Sequence, residues 1–187
     1  MSRLLVAYST KHGATAEIAQ TIADELRQGG HEPDCLPADK VKDVDAYDAA
    51  IIGSAVYAKR WRRGARRLLK RHGEALATRP FWIFSSGPCG ENPDPSWSEP
   101  TGVVKRAQAL GVRDHVVFGG RLPLEPRNFV ERSMVNKTPP EQRDLRNWEE
   151  IRSWAARIGA EVGSRSLSSP VRDRDSSAGR LAPRPGR

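Results

Sequence analysis

Apolar runs alternate with segments of helical periodicity through most of this 187-residue chain. Five runs have the length and composition of strands: Arg3 to Tyr8, Glu32 to Leu36, Ala49 to Gly53, Phe81 to Ser85 and His115 to Phe118. Four segments are predicted as helices: Ala14 to Gln28, Arg62 to Leu76, Thr101 to Leu110 and Leu145 to Val162. Strands that alternate with helices pair in parallel through right-handed crossovers. The pattern therefore predicts an α/β protein with a five-stranded parallel sheet.

Positive charge is concentrated in two stretches of the chain, whose formal net charge is +8. Lys59 to Arg71 contains eight basic residues and no acid, and Gly163 to Arg187 contains six Arg and two Asp. The rest of the chain carries a net charge of −4. The basic character is therefore local. Aromatic residues that could stack on single-stranded bases are absent from the basic stretch beyond Trp61, so nucleic acid is the least favoured anionic partner.

The C-terminal segment 163–187 is rich in Arg, Ser and Pro and has little apolar surface to bury, so we predict a disordered tail after a single domain 1–162. No apolar run approaches the roughly 20 residues of a membrane span, and the N-terminal run is too short for a signal peptide. Two cysteines exclude a disulfide scaffold, and no metal site is predicted. A soluble cytoplasmic protein is expected.

The first predicted strand runs directly into a helix through a loop rich in hydroxyl groups. This loop contains Ser9, Thr10, Lys11, His12, Gly13, Ala14 and Thr15. A helix N-terminus presents free backbone N–H groups and the positive end of the helix dipole, and both attract anions. Helix capping needs one hydroxyl, whereas this loop places three around a glycine, so we predict a phosphate site. The loop contains neither GxxxxGK[ST] nor GxGxxG, which excludes a P-loop and a dinucleotide fingerprint.

Two further strand ends carry candidate ligand loops, because ligands of parallel sheets bind at the carboxyl ends of the strands. After Gly53 come Ser54, Ala55, Val56 and Tyr57, small residues and a ring that suit a flat ligand. Trp61 suits the ligand and the packing of the next helix equally well. The fourth strand is followed by Ser86, Gly87, Pro88, Cys89 and Gly90, whose backbone groups can hydrogen-bond a polar ring edge. Cys89 lacks a CxxC partner and is expected to be inert.

The first loop, Ser-Thr-x-x-Gly-x-Thr, and the stretch GSAVYAKRW after the third strand together resemble the flavodoxin-like FMN-binding fold. Within that fold the sequence is most similar to the flavodoxin-domain group that contains the menaquinone-dependent protoporphyrinogen dehydrogenase. The resemblance implies a doubly wound sheet of order 2-1-3-4-5 with helices on both faces and FMN at the switch point. It implies that Ser9 to Thr15 hold the phosphate, that Ser54 to Tyr57 line the flavin ring, and that Ser86 to Gly90 read the pyrimidine edge.

The same resemblance implies an FMN-dependent oxidoreductase that oxidises an organic substrate, with protoporphyrinogen IX as the candidate, and passes electrons to a quinone or another redox partner. A flavodoxin-type electron carrier is an alternative, although the flavin loops of such carriers are typically acidic. No catalytic acid or base is identified. His12 is expected to pair with the phosphate or face solvent, and His72 to pack on the apolar side of its helix.

A binding module is the third possibility. Arg60, Arg63, Arg67 and Arg71 recur at helical spacing and form what we call the basic stripe. Such a stripe can contact an anionic substrate or, peripherally, the anionic inner face of the cell membrane. A solvated helix face is the simpler explanation of the same pattern.

Overall fold

The computed structural model describes residues 1–57, 59–87 and 101–168, with the side chains of 101 and 165–168 left aside. The strands are β1 (Arg3–Ser9), β2 (Glu32–Pro37), β3 (Ala49–Tyr57), β4 (Arg60–Trp61), β5 (Phe81–Ser86) and β6 (His115–Phe118). The helices are α1 (Ala14–Gln28), α2 (Arg63–Arg71), α3 (Gly73–Ala77), α4 (Thr101–Ala109), α5 (Phe129–Lys137) and α6 (Trp148–Ser168), with a 3₁₀ turn at Pro140–Gln142.

Among the described residues, five parallel strands form the sheet in the order β2-β1-β3-β5-β6. This confirms the predicted order 2-1-3-4-5, because β5 and β6 are the fourth and fifth predicted strands. β4 is an addition that the sequence did not predict. It pairs antiparallel with the end of β3, so that Val56 lies opposite Trp61 and Tyr57 opposite Arg60. The sheet therefore has a short hairpin at the carboxyl end of its central strand.

Helices cover both faces of the sheet, and each face has its own apolar core. On one face α1 and α6 pack with Phe84, Phe118 and Trp154, whose rings meet edge to face or tilted at centroid separations of 5.6–6.3 Å. On the other face α2, α3 and α4 pack with Trp61 and Phe81. This arrangement confirms the predicted doubly wound α/β architecture.

Three predicted elements differ from the structure by more than one residue at an end or by a break. The helix predicted over Arg62 to Leu76 is two helices that break at His72. A Cβ on the following Gly73 would lie 3.2 Å from a Leu110 methyl, so the glycine allows this junction to pack closely against the end of α4. β3 continues to Tyr57 instead of ending at Gly53, because the β4 hairpin extends its pairing. α6 begins at Trp148 and continues to Ser168, past the predicted end at Val162; residues 169–187 of the predicted tail lie outside the described part of the chain.

An excursion of the chain between β6 and α6, which we call the insertion (residues 122–143), has a closed neck. The Leu122 N–H donates to the Arg143 carbonyl at 2.8 Å, and the Leu145 N–H donates to the Gly120 carbonyl at 2.9 Å. Arg121 and Asp144 form an antiparallel bridge between these two bonds. The insertion contains α5, a helix that the sequence analysis did not predict.

Candidate functional site

The phosphate loop predicted at residues 9–15 joins β1 to α1 at the carboxyl edge of the sheet. Gly13 is the N-cap of α1 and has a φ of 89°, in the left-handed region that favours glycine. Its N–H donates to Thr10 Oγ1 at 3.0 Å. The Glu17 N–H donates to the Gly13 carbonyl, which begins the helix and leaves the N–H groups of its first turn facing the loop. A helix N-terminus of this kind is suited to an anion.

The hydroxyl groups of this loop have different roles. Thr10 Oγ1 already accepts a hydrogen bond from Gly13, so its proton is still available to donate. The hydroxyls of Ser9 and Thr15 have no hydrogen-bond partner within the described residues, although Thr15 is only 1% exposed. These three groups fit a ligand with several acceptor oxygens, such as a phosphate.

Lys11 and His12 of the predicted phosphate loop lie beside the insertion. Both contact Glu131 of α5: Lys11 Nζ donates to Glu131 Oε1, and His12 Nε2 lies 2.9 Å from the same oxygen. The second oxygen of Glu131 accepts from the Arg127 N–H at 2.8 Å. We call Lys11, His12 and Glu131 the Glu131 cluster. It fixes the insertion to the phosphate loop.

The Glu131 carboxylate is held in its ionised form. Hydrogen bonds from Lys11, the Arg127 N–H and His12 lower the pKa of Glu131 to about 2, against the opposing effect of burial. Sequence reasoning missed this residue, although a signal was present: Asn128 followed three residues later by Glu131 is a capping-box pattern. The structure confirms half of that box, because the Glu131 N–H donates to Asn128 Oδ1 at 2.9 Å.

Replacing Glu131 with Gln is expected to destabilise the domain at neutral pH, because Gln cannot carry the charge that Lys11 and His12 surround. The pKa of Glu131 falls from an ordinary 4.5 to about 2 on folding, so the carboxylate's contribution is complete above pH 4.5 and is lost as the pH falls toward 2. Urea unfolding of both proteins between pH 5 and pH 2 measures this. The stability difference should shrink across that range; a constant difference would show that the charge is not the cause.

A second ion cluster ties the neck of the insertion to the start of α1. Arg121 donates to both oxygens of Glu17, at 2.7 and 3.1 Å, and Arg146 donates to Glu17 at 2.7 Å and to Asp144 at 2.6 Å. The pKa of Glu17 is raised by burial, but hydrogen bonds from Arg146 and Arg121 outweigh this and lower it. The Arg146 guanidinium also lies 4.5 Å from the Trp148 ring centroid. The insertion is thus held against the phosphate loop at two places.

The predicted flavin-ring segment lies in the β3–β4 hairpin. Ser54 and Ala55 are buried, and the Ser54 hydroxyl accepts from the Arg62 N–H at 2.9 Å, so it holds the hairpin closed. Val56 is half-buried, and Tyr57 is 42% exposed with Lys11 Nζ 5.3 Å from its ring centroid. The structure therefore brings the exposed ring of Tyr57 next to the phosphate loop.

Trp61, for which the sequence allowed either ligand contact or packing, is a core residue. It is 2% exposed, and its Nε1 donates to Ser85 Oγ at 2.9 Å. Ser86 is buried at the end of β5, and Gly87 follows with a φ of 134°. The predicted site residues Pro88, Cys89 and Gly90 lie outside the described residues.

Two exposed surfaces flank the site. The basic stripe lies along β4 and α2, and its four arginines are exposed. The second surface, which we call the apolar patch, lies on the insertion. It consists of Leu124, Phe129, Val130 and Met134, which are 79%, 84%, 66% and 48% exposed. Large apolar side chains this exposed often mark a contact surface.

Comparison with known proteins identifies the family to which the chain belongs. A model of the Flavodoxin domain matches residues 5–144, well over half of the chain. The chain belongs to the flavodoxin domain family. Membership implies that this flavodoxin domain binds a flavin and is an oxidoreductase or an electron carrier. No helix in the described part of the chain is long and apolar enough to cross a membrane.

One curated relative is "Protoporphyrinogen IX dehydrogenase [quinone]" from Escherichia coli (strain K12), which is 24% identical over 94 residues. The alignment covers 49% of this chain and 52% of the relative, so the chain spans about half the length of the curated relatives it matches. It resembles the protoporphyrinogen dehydrogenase group within the flavodoxin-like fold, as the sequence analysis stated.

Solved structures give the same fold. A flavodoxin from the domain Archaea aligns with a TM-score of 0.56 and 12% identity, covering 86% of this chain and 99% of that chain. Rubredoxin oxygen:oxidoreductase from Desulfovibrio gigas aligns with a TM-score of 0.59 and 13% identity, covering 90% of this chain and 38% of the other. At these identities the likeness concerns the fold alone.

Proposed function

We propose that this flavodoxin domain binds FMN and oxidises an organic substrate, with protoporphyrinogen IX as the leading candidate and a quinone as acceptor. The observation that carries the flavin part is the pair of available hydroxyls on Thr10 and Thr15 at the N-terminus of α1. The substrate and acceptor are proposed from the partial similarity to the E. coli dehydrogenase.

The residues present fit a single phosphate. Thr10 and Thr15 would donate hydroxyl hydrogen bonds to it, and the N–H groups at the start of α1 would supply the positive end of the dipole. Lys11 and His12 are occupied by Glu131, so neutral donors would hold the phosphate. Tyr57, exposed and adjacent to Lys11, would face the flavin ring. FMN, when bound, supplies redox chemistry between an organic donor and a quinone.

The apolar patch supports a quinone as acceptor. Glu131 links α5 to Lys11, and Lys11 lies beside the Tyr57 ring, so the patch is connected to the proposed flavin site through two contacts. An apolar surface here suits a partner held in a lipid phase. The basic stripe, on the neighbouring hairpin and helix, would attract an anionic substrate or an anionic membrane surface. An acidic surface of the kind typical of electron-carrier flavodoxins is absent from that described hairpin and helix.

The absorption spectrum of the purified protein tests the cofactor. We expect a yellow protein whose released cofactor is FMN, because one phosphate loop is present and a dinucleotide fingerprint is not. Protein that remains colourless and does not quench FMN fluorescence on titration would refute flavin binding. Anaerobic turnover of protoporphyrinogen IX with a menaquinone analogue then tests the substrate; reduction by an electron-donor protein without such turnover would favour an electron carrier.

Changing Arg63 and Arg67 together to Glu is expected to lower turnover of an anionic substrate, or binding to anionic vesicles, without changing the flavin spectrum. The reversal removes positive potential from an exposed helix face, and the loss should diminish as salt is added because exposed charges are screened. The double variant Arg152→Glu and Arg157→Glu on α6 makes the same charge change on the opposite face of the sheet. If the two double variants change turnover and vesicle binding equally, the basic stripe is a solvated surface without a specific role.

A further inference from the structure

A large groove lies on the side of α2 that faces the ends of β1 and β2. Its volume is about 970 Å³, and its walls are α2, the end of β1 from Tyr8 to Thr10, and the segment Pro37 to Val41 that follows β2. We call it the α2 groove. Neither Tyr57 nor the residues at the end of β5 line it, so it is separate from the proposed flavin-ring position. A cavity of this size is large enough for a small organic ligand.

Positive charge in the α2 groove is not balanced by the protein. Five cations line it, Arg62, Arg63, Arg67, Lys70 and Arg71, against the single carboxylate of Asp39. Arg63, Arg67, Lys70 and Arg71 form no ion pair with any residue that the structure describes, whereas Arg121 and Arg146 in the neck of the insertion are paired with acids. Like charges three and four residues apart on a helix repel one another. An anion bound between them would relieve that repulsion.

The base of the groove is apolar. Ala38, Val41 and Leu68 line it but are each less than 7% exposed, so the apolar surface open to a ligand is that of the partly buried Tyr8 and Pro37 and of the arginine methylene groups. A simple inorganic ion would use the charged rim and leave this surface in contact with water. A molecule with a non-polar body would cover it and gain the free energy of burying apolar area.

We propose that the α2 groove is a binding site for an organic anion that carries at least two carboxylate or phosphate groups on a non-polar body. The charged groups would contact the arginines on α2, and the body would lie on Tyr8 and Pro37. Ser9 and Thr10 also line the groove, so its occupant lies next to the phosphate loop. The proposal does not depend on flavin binding, since every contact it uses belongs to the protein.

A second groove on the other side of α2 supplies a matched control. That groove has a volume of about 670 Å³ and is lined by Arg60, Arg66 and Arg106 among others. Of these two grooves, Arg71 lines the α2 groove and not the second, and Arg66 lines the second and not the α2 groove. Both side chains are exposed on the same helix, so Arg71→Gln and Arg66→Gln remove the same charge without disturbing the core.

The test measures binding by isothermal titration calorimetry on the full chain, both with and without FMN. Three probes are used: naphthalene-2,6-dicarboxylate, 2-naphthyl phosphate and inorganic phosphate. At least one organic anion should bind the wild-type protein with a Kd below about 1 mM. Arg71→Gln should raise that Kd roughly fivefold or more, allowing for the exposure of the arginine, while Arg66→Gln should change it less than about twofold. The naphthalene probe that binds more tightly identifies the charged group the site prefers.

Three results would overturn the proposal. Equal weakening by Arg71→Gln and Arg66→Gln would mean that anions respond to the overall charge of α2 and not to the groove. Inorganic phosphate binding as tightly as the two organic probes would show that the apolar base contributes nothing. No binding of any probe to a protein whose melting temperature is normal would exclude the site, and it would do so whether or not the protein binds FMN.

Discussion

Valine in place of Thr15 should weaken FMN binding by about 1.5–3 kcal/mol, roughly a 10- to 150-fold increase in Kd, because a hydrogen bond to a charged group has this magnitude. Thr15 is 1% exposed, and its hydroxyl has no partner within the described residues, so the substitution breaks no internal hydrogen bond. The loss should therefore appear in FMN affinity and hardly at all in the stability of the protein without cofactor. Fluorescence quenching titrations measure the affinity.

Riboflavin and Thr10 give the controls for this prediction. Riboflavin lacks the phosphate and should bind wild-type and Thr15→Val protein almost equally. Thr10→Val should behave differently, because Thr10 Oγ1 also accepts the Gly13 N–H, and this variant is expected to lose stability as well as FMN affinity. If riboflavin loses as much affinity as FMN does, Thr15 is a structural residue and the phosphate lies elsewhere.

Replacing Gly119 with Ala is expected to destabilise the domain by about 3 kcal/mol, at the upper end of what overpacking usually costs. A Cβ at this position would lie 1.9 Å from the carbonyl oxygen of Leu145 and 2.5 Å from its carbonyl carbon. Both are backbone atoms, and the Leu145 N–H is held by the Gly120 carbonyl, so no side-chain rotation can relieve the clash. The neck of the insertion must open.

Gly102→Ala is the matched control. Gly102 lies in α4, and no atom of the described residues lies within 4 Å of the new methyl group, so the same substitution there should raise stability by up to about 1 kcal/mol. Urea unfolding measures whether Gly119→Ala lowers the free energy of unfolding and Gly102→Ala raises it. Limited proteolysis should show faster cleavage within residues 123–142 of Gly119→Ala only. A Gly119→Ala protein as stable as wild type would contradict the packing at the neck.

The sheet could be predicted from the sequence because each strand is marked by its own short run of apolar residues. Continuous apolar runs such as Leu4 to Ala7 and Ile51 to Ile52 mark strands buried on both faces, and every one of these residues is fully buried. Of the predicted helical stripe, Ile151, Ala155, Ile158 and Val162 are likewise buried, whereas Leu145 precedes α6 and Trp148 is only partly buried. β4 could not be predicted in this way, since two residues have no periodicity and their pairing depends on the hairpin geometry.

The loop 9–15 leads into the N-terminus of α1 as predicted, but the contacts of its charged residues could not be predicted from the sequence. Glu131 lies about 120 positions from Lys11 and His12 in the chain, and nothing in the composition of either segment points to the other. α5 was missed because its apolar residues face outward, so no buried stripe marks it. Burial raises the pKa of the Cys35 thiol to about 11, which makes the thiol unreactive at neutral pH. The position of Cys35 in the sequence does not predict this burial.

Because the neck is closed, residues 123–142 of the insertion form a cassette, a segment that evolution can exchange as one unit. The chain leaves and returns at adjacent positions, so a cassette of another length could be exchanged there while strands β1 to β6 keep their register. Every such exchange, however, must supply a carboxylate in place of Glu131 or leave Lys11 without a counterion and His12 without its hydrogen-bond partner. Relatives that carry a different cassette should therefore change these two loop positions in step with it, and that covariation can be sought in their sequences.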